Sequence, residues 1–459
     1  MYRDVLIFNP QNDLALATGG INYVAPPFAL QMAHDLAVLP AFIAEPGALI
    51  ITDSDLDSEW LEHLNDTFGL DVHAVKRNEL RHMSDYRIMP WGWCLDMRRR
   101  LIKWGASRDS LPTKDEIYHL RGLSHRRVST LIHLRLQELL GQQLCPMPVE
   151  LATTSEVMAF VKKHRECYIK TPWSSSGRGI YHTIDGATPE LEQWCRGALK
   201  RQGSVMCEVA LNKTMDFAVE YHCSDGKAMM RGYSVFETDS HSQYSQGEVA
   251  PTDVLKQKIT AQYPHLDEVV TALTQTLNEL VAPHHTGWMG VDMILFNAEC
   301  IMHNAQSQIN AQCYNNAQCT MHNAQSQINA QSAPLTSSHS TLTSQHSPLT
   351  SSNYTLSSPL STLNSPLPHL SSQLKTGLNP CIELNLRPTM GAITSVLGDR
   401  IIAPDTTARF VIEQRSSTSD KWSDLPEPVL KEGRLSSGAF VLTPPSPTAL
   451  YRAVLRSCE

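Results

Sequence analysis

From Ile301 to Leu374 the chain carries no Asp, Glu, Lys or Arg, and this uncharged stretch limits what the rest can fold into. It is rich in Ser, Thr, Asn and Gln, repeats Met302 to Gln312 again at Met321 to Gln331, and returns to Ser-Pro-Leu at Ser347, Ser358 and Ser365. Such a segment buries too little apolar surface to offset the entropy of ordering it, so a disordered insertion over 301–375 is expected. Two good copies of a repeat do not make a solenoid. Any core must therefore come from the chain on either side. A long surface loop adds only logarithmically to closure entropy, about one or two kcal/mol, so segments flanking the gap can still pair.

Those flanking segments are Gly290-Val291-Asp292-Met293, inside the apolar run Trp288 to Phe296, and Glu383-Leu384-Asn385-Leu386-Arg387. Period-two alternation puts Glu383 and Asn385 on one strand face. An acid inside an apolar strand is costly unless something compensates it. Asp292, Glu383 and Asn385 offer hard oxygen donors without thiol or imidazole, which suits Mg²⁺, with Mn²⁺ as an alternative ion. Mg²⁺ is commonly held by one or two carboxylates plus substrate phosphates, so a nucleotide is the expected companion.

Upstream, Cys167 to Thr171 reads as a strand delivering Lys170 just before Ser174-Ser175-Ser176-Gly177-Arg178-Gly179. Small residues let backbone N–H groups approach phosphate oxygens, and Lys170 and Arg178 supply cations. On these residues alone a plain hairpin remains open beside a phosphate loop.

The order of the pieces (lysine strand, glycine loop, the acids Glu208 and Asp216, then Asp292 and Glu383-Leu384-Asn385) resembles the ATP-grasp superfamily of ligases, over about Ser124 to Arg387. The resemblance implies that Lys170 contacts ATP phosphates with Ser176, Gly177, Arg178 and Gly179, and that Glu208 begins the adenine-contacting hinge. It further implies that Asp216 receives the ribose hydroxyls, that Asp292, Glu383 and Asn385 hold the metal, and that Arg387 faces the transferred phosphoryl group. Arg126 stands where the family usually has a second lysine. It keeps the charge and changes the donor geometry.

The fold class implied is α/β and α+β, an ATP-grasp-like fold with an N-terminal α/β (pre-ATP-grasp) domain. Expected boundaries are 1–120 for that domain, 121–300 with 376–415 for the nucleotide-binding domain, and 416–459 for a C-terminal extension. The alternation of Val5 to Phe8, a helix from Pro27, Leu49 to Thr52, a helix near Ser58 and Leu70 to Val75 supports the first of these. Asn9 to Asp13 lacks the glycine pattern of a dinucleotide site and reads as a turn and helix cap. Met89-Pro90-Trp91-Gly92-Trp93 reads as core or domain contact. Ser124 to Leu140 reads as one helical stretch, and Thr153 with Glu156 caps the next helix. Thr406 to Gln414 and Thr448 to Ser457 are expected to close the fold as short helices.

The implied activity is carbon–nitrogen ligation: ATP activates a small-molecule carboxylate as an acyl phosphate, which an amine attacks. Phosphotransfer with the same cradle, or nucleotide binding without turnover, are the alternatives. A net charge of −8 argues against a nucleic-acid partner. The Arg98-Arg99-Arg100 run reads as a solvated helix face, and adjacent His284 and His285 point apart and read as a turn. Eleven scattered cysteines suit reduced thiols, and the absence of a secretory or membrane-spanning run suits a cytoplasmic protein. The acid, the amine and the oligomeric state are not legible.

Overall fold

The structure is a computed structural model that describes residues 3–82, 85–174, 177–239, 243–298 and 375–458. The expected insertion therefore lies, except for Lys375, outside the described residues.

The first strands, β1 (Arg3–Ile7), β2 (Ala48–Ile51), β3 (Val72–Val75) and β4 (Tyr86–Pro90), form a parallel sheet in the order β3-β2-β1-β4. Parallel neighbours need crossovers, and the helices Pro27–Asp35 and Asp55–Phe68 supply them. The strand order reverses beside β1, so the loop after β1 and the helix Asn12–Thr18 open at the carboxyl end of the sheet, where α/β folds place ligands.

The helix expected over Ser124 to Leu140 runs over Arg127–Leu140, and a separate helix, Lys114–Leu123, precedes it. The break falls at Ser124-His125-Arg126, where Arg126 N–H donates to the carbonyl of Pro172 rather than continuing a helical ladder. That turn carries Arg126 toward the loop after Lys170.

A small antiparallel sheet follows, built from β5 (Val149–Leu151), β6 (Cys167–Lys170), β7 (Ile180–Thr183) and β8 (Val205–Val209) in the order β5-β8-β6-β7. Its helices, Thr154–His164 and Pro189–Gln202, cover one face through Val157, Val161, Leu191 and Cys195. Thr153 and Glu156 form the expected capping box.

The third sheet has eight strands: β9 (Lys213–Ser224), β10 (Lys227–Thr238), β11 (Tyr244–Val249), β12 (Gly287–Asn297), β13 (Thr376–Asn385), β14 (Ala408–Gln414), β17 (Ala439–Val441) and β18 (Tyr451–Ser457). The order is β13-β12-β9-β10-β11-β14-β18-β17, and a separate hairpin joins β15 (Val429–Lys431) to β16 (Arg434–Ser437). Thr406 to Gln414 and Thr448 to Ser457 are thus strands, not helices. Arg409 is exposed between buried Ala408 and Phe410, the alternation of a half-buried strand.

On one face of β9 and β12, Phe217, Val219, Tyr221, Met289, Val291, Met293 and Leu295 are fully buried against the helices Arg127–Leu140 and Leu266–Leu280. The chain thus combines a parallel α/β unit, a small lysine-bearing antiparallel sheet and a larger acid-bearing sheet, the mixed α/β and α+β organisation expected.

Candidate functional site

Because one face of β9, β12 and β13 is filled with apolar core, alternation forces the other residues of these strands onto the opposite face. Asp292 sits directly across from Glu383 and from Ala218, and Gly290 sits across from Asn385 and from Glu220. The β12–β13 register shifts between Asp292 and Ile294, next to Glu383. Pro380, which has no N–H to give, lies inside this irregularity on the edge strand, where proline is tolerated. The bulge sets which way Glu383 is aimed.

The cross-strand acids are held by a chain of polar contacts. Arg126 donates both bonds of its Nη2 to Glu383, at 2.9 Å to each carboxylate oxygen, and its Nη1 reaches Thr171 O at 2.7 Å and Ser174 Oγ at 2.8 Å. Asn385 Nδ2 donates to Asp292 at 3.1 Å, while its own oxygen accepts from Arg387 at 3.1 Å. Arg387 in turn pairs with Asp13 at 2.6 Å. Burial, then the neighbouring Glu383 charge, pushes the Asp292 carboxyl up to about 7. Burial works against the Arg387 charge, but Asp13 together with Glu383 and Asp292 outweighs it and the guanidinium pKa is raised.

Lys170, at the end of β6, donates to Glu208 at 2.7 Å, and the two are mostly buried. The following loop closes when Thr171 N–H donates to Gly179 O at 2.8 Å. Gly179 has φ +82° and packs so tightly that a Cβ there would lie 2.4 Å from Thr171 Oγ1, so only glycine fits. Gly177 also has positive φ. Arg178 lies 4.1 Å from the ring centroid of Phe28, stacked on the N-terminal unit. Ser176 lies outside the described residues. Asp216 shares the face of Asp292, one β9 alternation beyond Ala218, where it accepts from Lys213 at 2.5 Å.

Asp292, Glu383, Asn385, Arg387 and Arg126 are thus brought into one connected cluster, with Lys170 and Glu208 adjoining through Thr171. Arg126 meets an acid and the loop backbone, and so orients both. Two further residues belong to the cluster. Asp13 sits in the segment read as a turn and cap, and only the tertiary fold shows that it faces Arg387. Glu220 is fully buried on the site face, accepting from Thr389 Oγ1 at 2.9 Å and Ser234 Oγ at 3.0 Å. Burial first, then the Asp292 charge, pushes its carboxyl up to about 8, which leaves it neutral at pH 7. An acid within an otherwise apolar strand stretch, Phe217 to Tyr221, was its sequence signal.

Among the described residues no three of His, Cys, Asp or Glu converge as a metal cluster. The donor set is two carboxylates and an amide. It fits a hard divalent cation, because two crowded acids, one driven toward protonation, are relieved by a positive ion. The described cysteines are free thiols. His284 packs edge-on against His119 while His285 bonds to Trp288 O, so the histidine pair divides as expected of a turn. No helix among the described residues is long and apolar enough to cross a membrane.

Neither a protein-family model nor a curated protein matches the sequence. Among solved structures, the biotin carboxylase of Campylobacter jejuni in complex with β,γ-ATP is similar over 100% of this chain and 88% of that one, at 10% identity and a TM-score of 0.47. The N5-carboxyaminoimidazole synthetase of Staphylococcus aureus is similar over 100% and 94%, at 7% identity and a TM-score of 0.43. The biotin carboxylase domain of the Hydrogenobacter thermophilus 2-oxoglutarate carboxylase, in complex with MgADP and bicarbonate, is similar over 99% and 86%, at 10% identity and a TM-score of 0.41. At these values the likeness bears on neither activity nor substrate.

Proposed function

We propose that the chain is an ATP-dependent ligase of the ATP-grasp type that joins a carboxylic acid to an amine. The observation that carries this reading is the double reach of Arg126. One guanidinium ties the backbone and loop beside Lys170, on the small sheet, to Glu383 on the large one, so cationic and acidic halves of a phosphoryl-handling site face a common space.

In the proposed reaction a carboxylate oxygen attacks the γ-phosphorus of ATP, the bond to the β,γ-bridging oxygen breaks, and ADP leaves. The amine then attacks the acyl phosphate carbon, the C–O bond to phosphate breaks, and the nitrogen loses a proton to give the amide. Lys170 binds phosphate oxygens once drawn off Glu208, and Arg387, positioned by Asp13 and Asn385, neutralises the charge where phosphoryl and carboxylate meet. Asp292, Glu383 and Asn385 would hold Mg²⁺, which when bound neutralises the polyphosphate. Glu208 and Asp216 would meet base and ribose, as the resemblance implies.

The test is ADP release by the full chain with Mg²⁺ across a panel of carboxylic acids, each with and without a panel of amines. The ligase reading expects sustained release only with both partners. Release with one acceptor and a stable phosphorylated product means phosphotransfer; ATP binding with no release by any partner means a nucleotide-binding protein without turnover.

A further inference from the structure

A second hollow adjoins the site on the side of the parallel sheet. Its walls come from the carboxyl end of β4 (Met89, Trp91, Trp93), the start of β12 (Trp288) and the segment after β13 (Arg387, Pro388). It shares Leu386 and Arg387 with the hollow of the reaction site, which Asp13, Ser174, Glu383 and Asn385 also line, so the wall of one is the wall of the other. The parallel unit and the large sheet approach closely here. At Gly287, where φ is +107°, a Cβ would lie 2.7 Å from Met89 Cε.

The chemistry of this hollow differs from that of the reaction site. Three indoles and several aliphatic side chains line it, and among the described residues the lining includes no carboxylate or lysine. His285, also in its wall, holds its Nε2 at 3.0 Å from Trp288 O, and burial drives its pKa down to about 4, so it is uncharged at neutral pH. Arg387, which shares its charge with Asp13, is then the charged residue of the lining among the described residues. Apolar aromatic walls with one guanidinium match a ligand that has an apolar body and a single anionic end. A dicarboxylate or a polyol would have to leave polar groups against indoles without partners, at the cost of desolvating them.

We propose that this hollow seats the acid substrate, and that the acid is a monocarboxylate bearing an aryl or branched apolar group, its carboxylate turned toward Arg387. This rests on the ligase reading above and narrows its acceptor. The apolar group lies against Trp91, Trp93 and Trp288, leaving the carboxylate at the wall shared with the site of Asp292 and Glu383.

Direct binding tests this apart from turnover. The full chain is titrated with 3-phenylpropionate, propionate and succinate, followed by calorimetry. The expected order has 3-phenylpropionate about tenfold or more tighter than either of the others, since a phenyl group leaves water for apolar walls. Met89→Glu, which puts an anion in the hollow, removes most of that advantage. Trp93→Ala gives a smaller loss of about threefold or more, and reads the same wall should Met89→Glu not fold. Succinate binding as tightly as 3-phenylpropionate, or 3-phenylpropionate affinity unchanged in a folded variant, overturns the assignment. Because none of these readings needs ATP, they separate the acid's identity from the ligase reading, which falls instead if no acid and amine together release ADP.

Discussion

The acids and the cations of the site are held in different ways. Asp292 and Glu220 stand on strands with hydrogen-bonded neighbours on both sides, and Glu383 on the bulged edge strand that completes that face. Lys170 ends a strand, and Gly177 to Gly179 form the turn to β7, the edge of a small sheet. The large sheet fixes the position of its groups by backbone ladder and core packing together, whereas in the small sheet Lys170 is laddered to Ile180 and Met206 but the loop that follows it is held by single hydrogen bonds involving Thr171, Arg126 and Ser174. Rigid oxygen donors suit a metal, and a more yielding cationic loop suits a nucleotide that must enter and leave. Arg126 is where the two regimes are joined.

The largest effects should come from the rigid side. Asp292→Asn and Glu383→Gln are each expected to lower turnover by about 10²-fold or more; Asp292→Asn should leave the melting temperature nearly unchanged, whereas Glu383→Gln, which takes the carboxylate from buried Arg126, should lower it while the fold remains. Near-normal ADP release by both variants would remove the metal assignment. On the yielding side, Lys170→Ala should raise the KM for ATP by about tenfold, whereas Arg387→Ala should mainly lower kcat. Steady-state kinetics at several ATP concentrations separates the two, and equal KM changes with constant kcat would erase the distinction between ground-state and transition-state roles.

Glu220 sharpens the comparison through stability. Its folded pKa, about 8 against 4.5 for the ordinary group, means that the folded chain keeps a proton which the unfolded chain loses as pH rises through the usual carboxylate range. The sign is therefore destabilising: between about pH 5 and 8 the folded state of the wild type should lose ground. Glu220→Gln, neutral throughout, should melt near the wild type at pH 5 and increasingly above it toward pH 8, by denaturant or thermal melting at each pH. A parallel pH dependence in the two proteins would mean that Glu220 is ionised in the fold.

The smallest effect is expected at the gap between β12 and β13. Ala298 N–H donates to Lys375 O at 2.9 Å, and Asn297 pairs with Thr376, so the two ends already lie side by side. Replacing residues 299–374 by a short Asn-Gly turn should leave stability within about 1 kcal/mol of the full chain, or raise it. Loss of the folded state would show that the β12–β13 pairing depends on what lies between.

What was legible in the sequence follows the same division. Asp292, Glu383 and Asn385 could be read because an acid in an apolar run and a period-two triplet are local signals. Lys170 could be placed because its strand runs straight into a glycine turn. Asp13 could not, since a cap-like turn after a first strand says nothing of a guanidinium arriving from Arg387, far along the chain. Arg126 was read as a phosphate cation, yet its partner is Glu383, a relation only tertiary structure creates. Thr406 to Gln414 and Thr448 to Ser457, expected as short helices, instead carry the strands Ala408–Gln414 and Tyr451–Ser457, which pair with each other across a long separation that no local pattern reveals. Their alternation over so few residues is easily taken for a helical face.

A carboxylate activated at the phosphoryl group between these two regions would leave a direct isotopic mark. With the acid that best supports ADP release, prepared with ¹⁸O in its carboxylate, and with an amine present, the phosphate formed can be followed by ³¹P NMR. An acyl phosphate requires one ¹⁸O to pass from the acid to inorganic phosphate in each turnover, and that is the result expected. Phosphate free of ¹⁸O, released while amide forms, would contradict it.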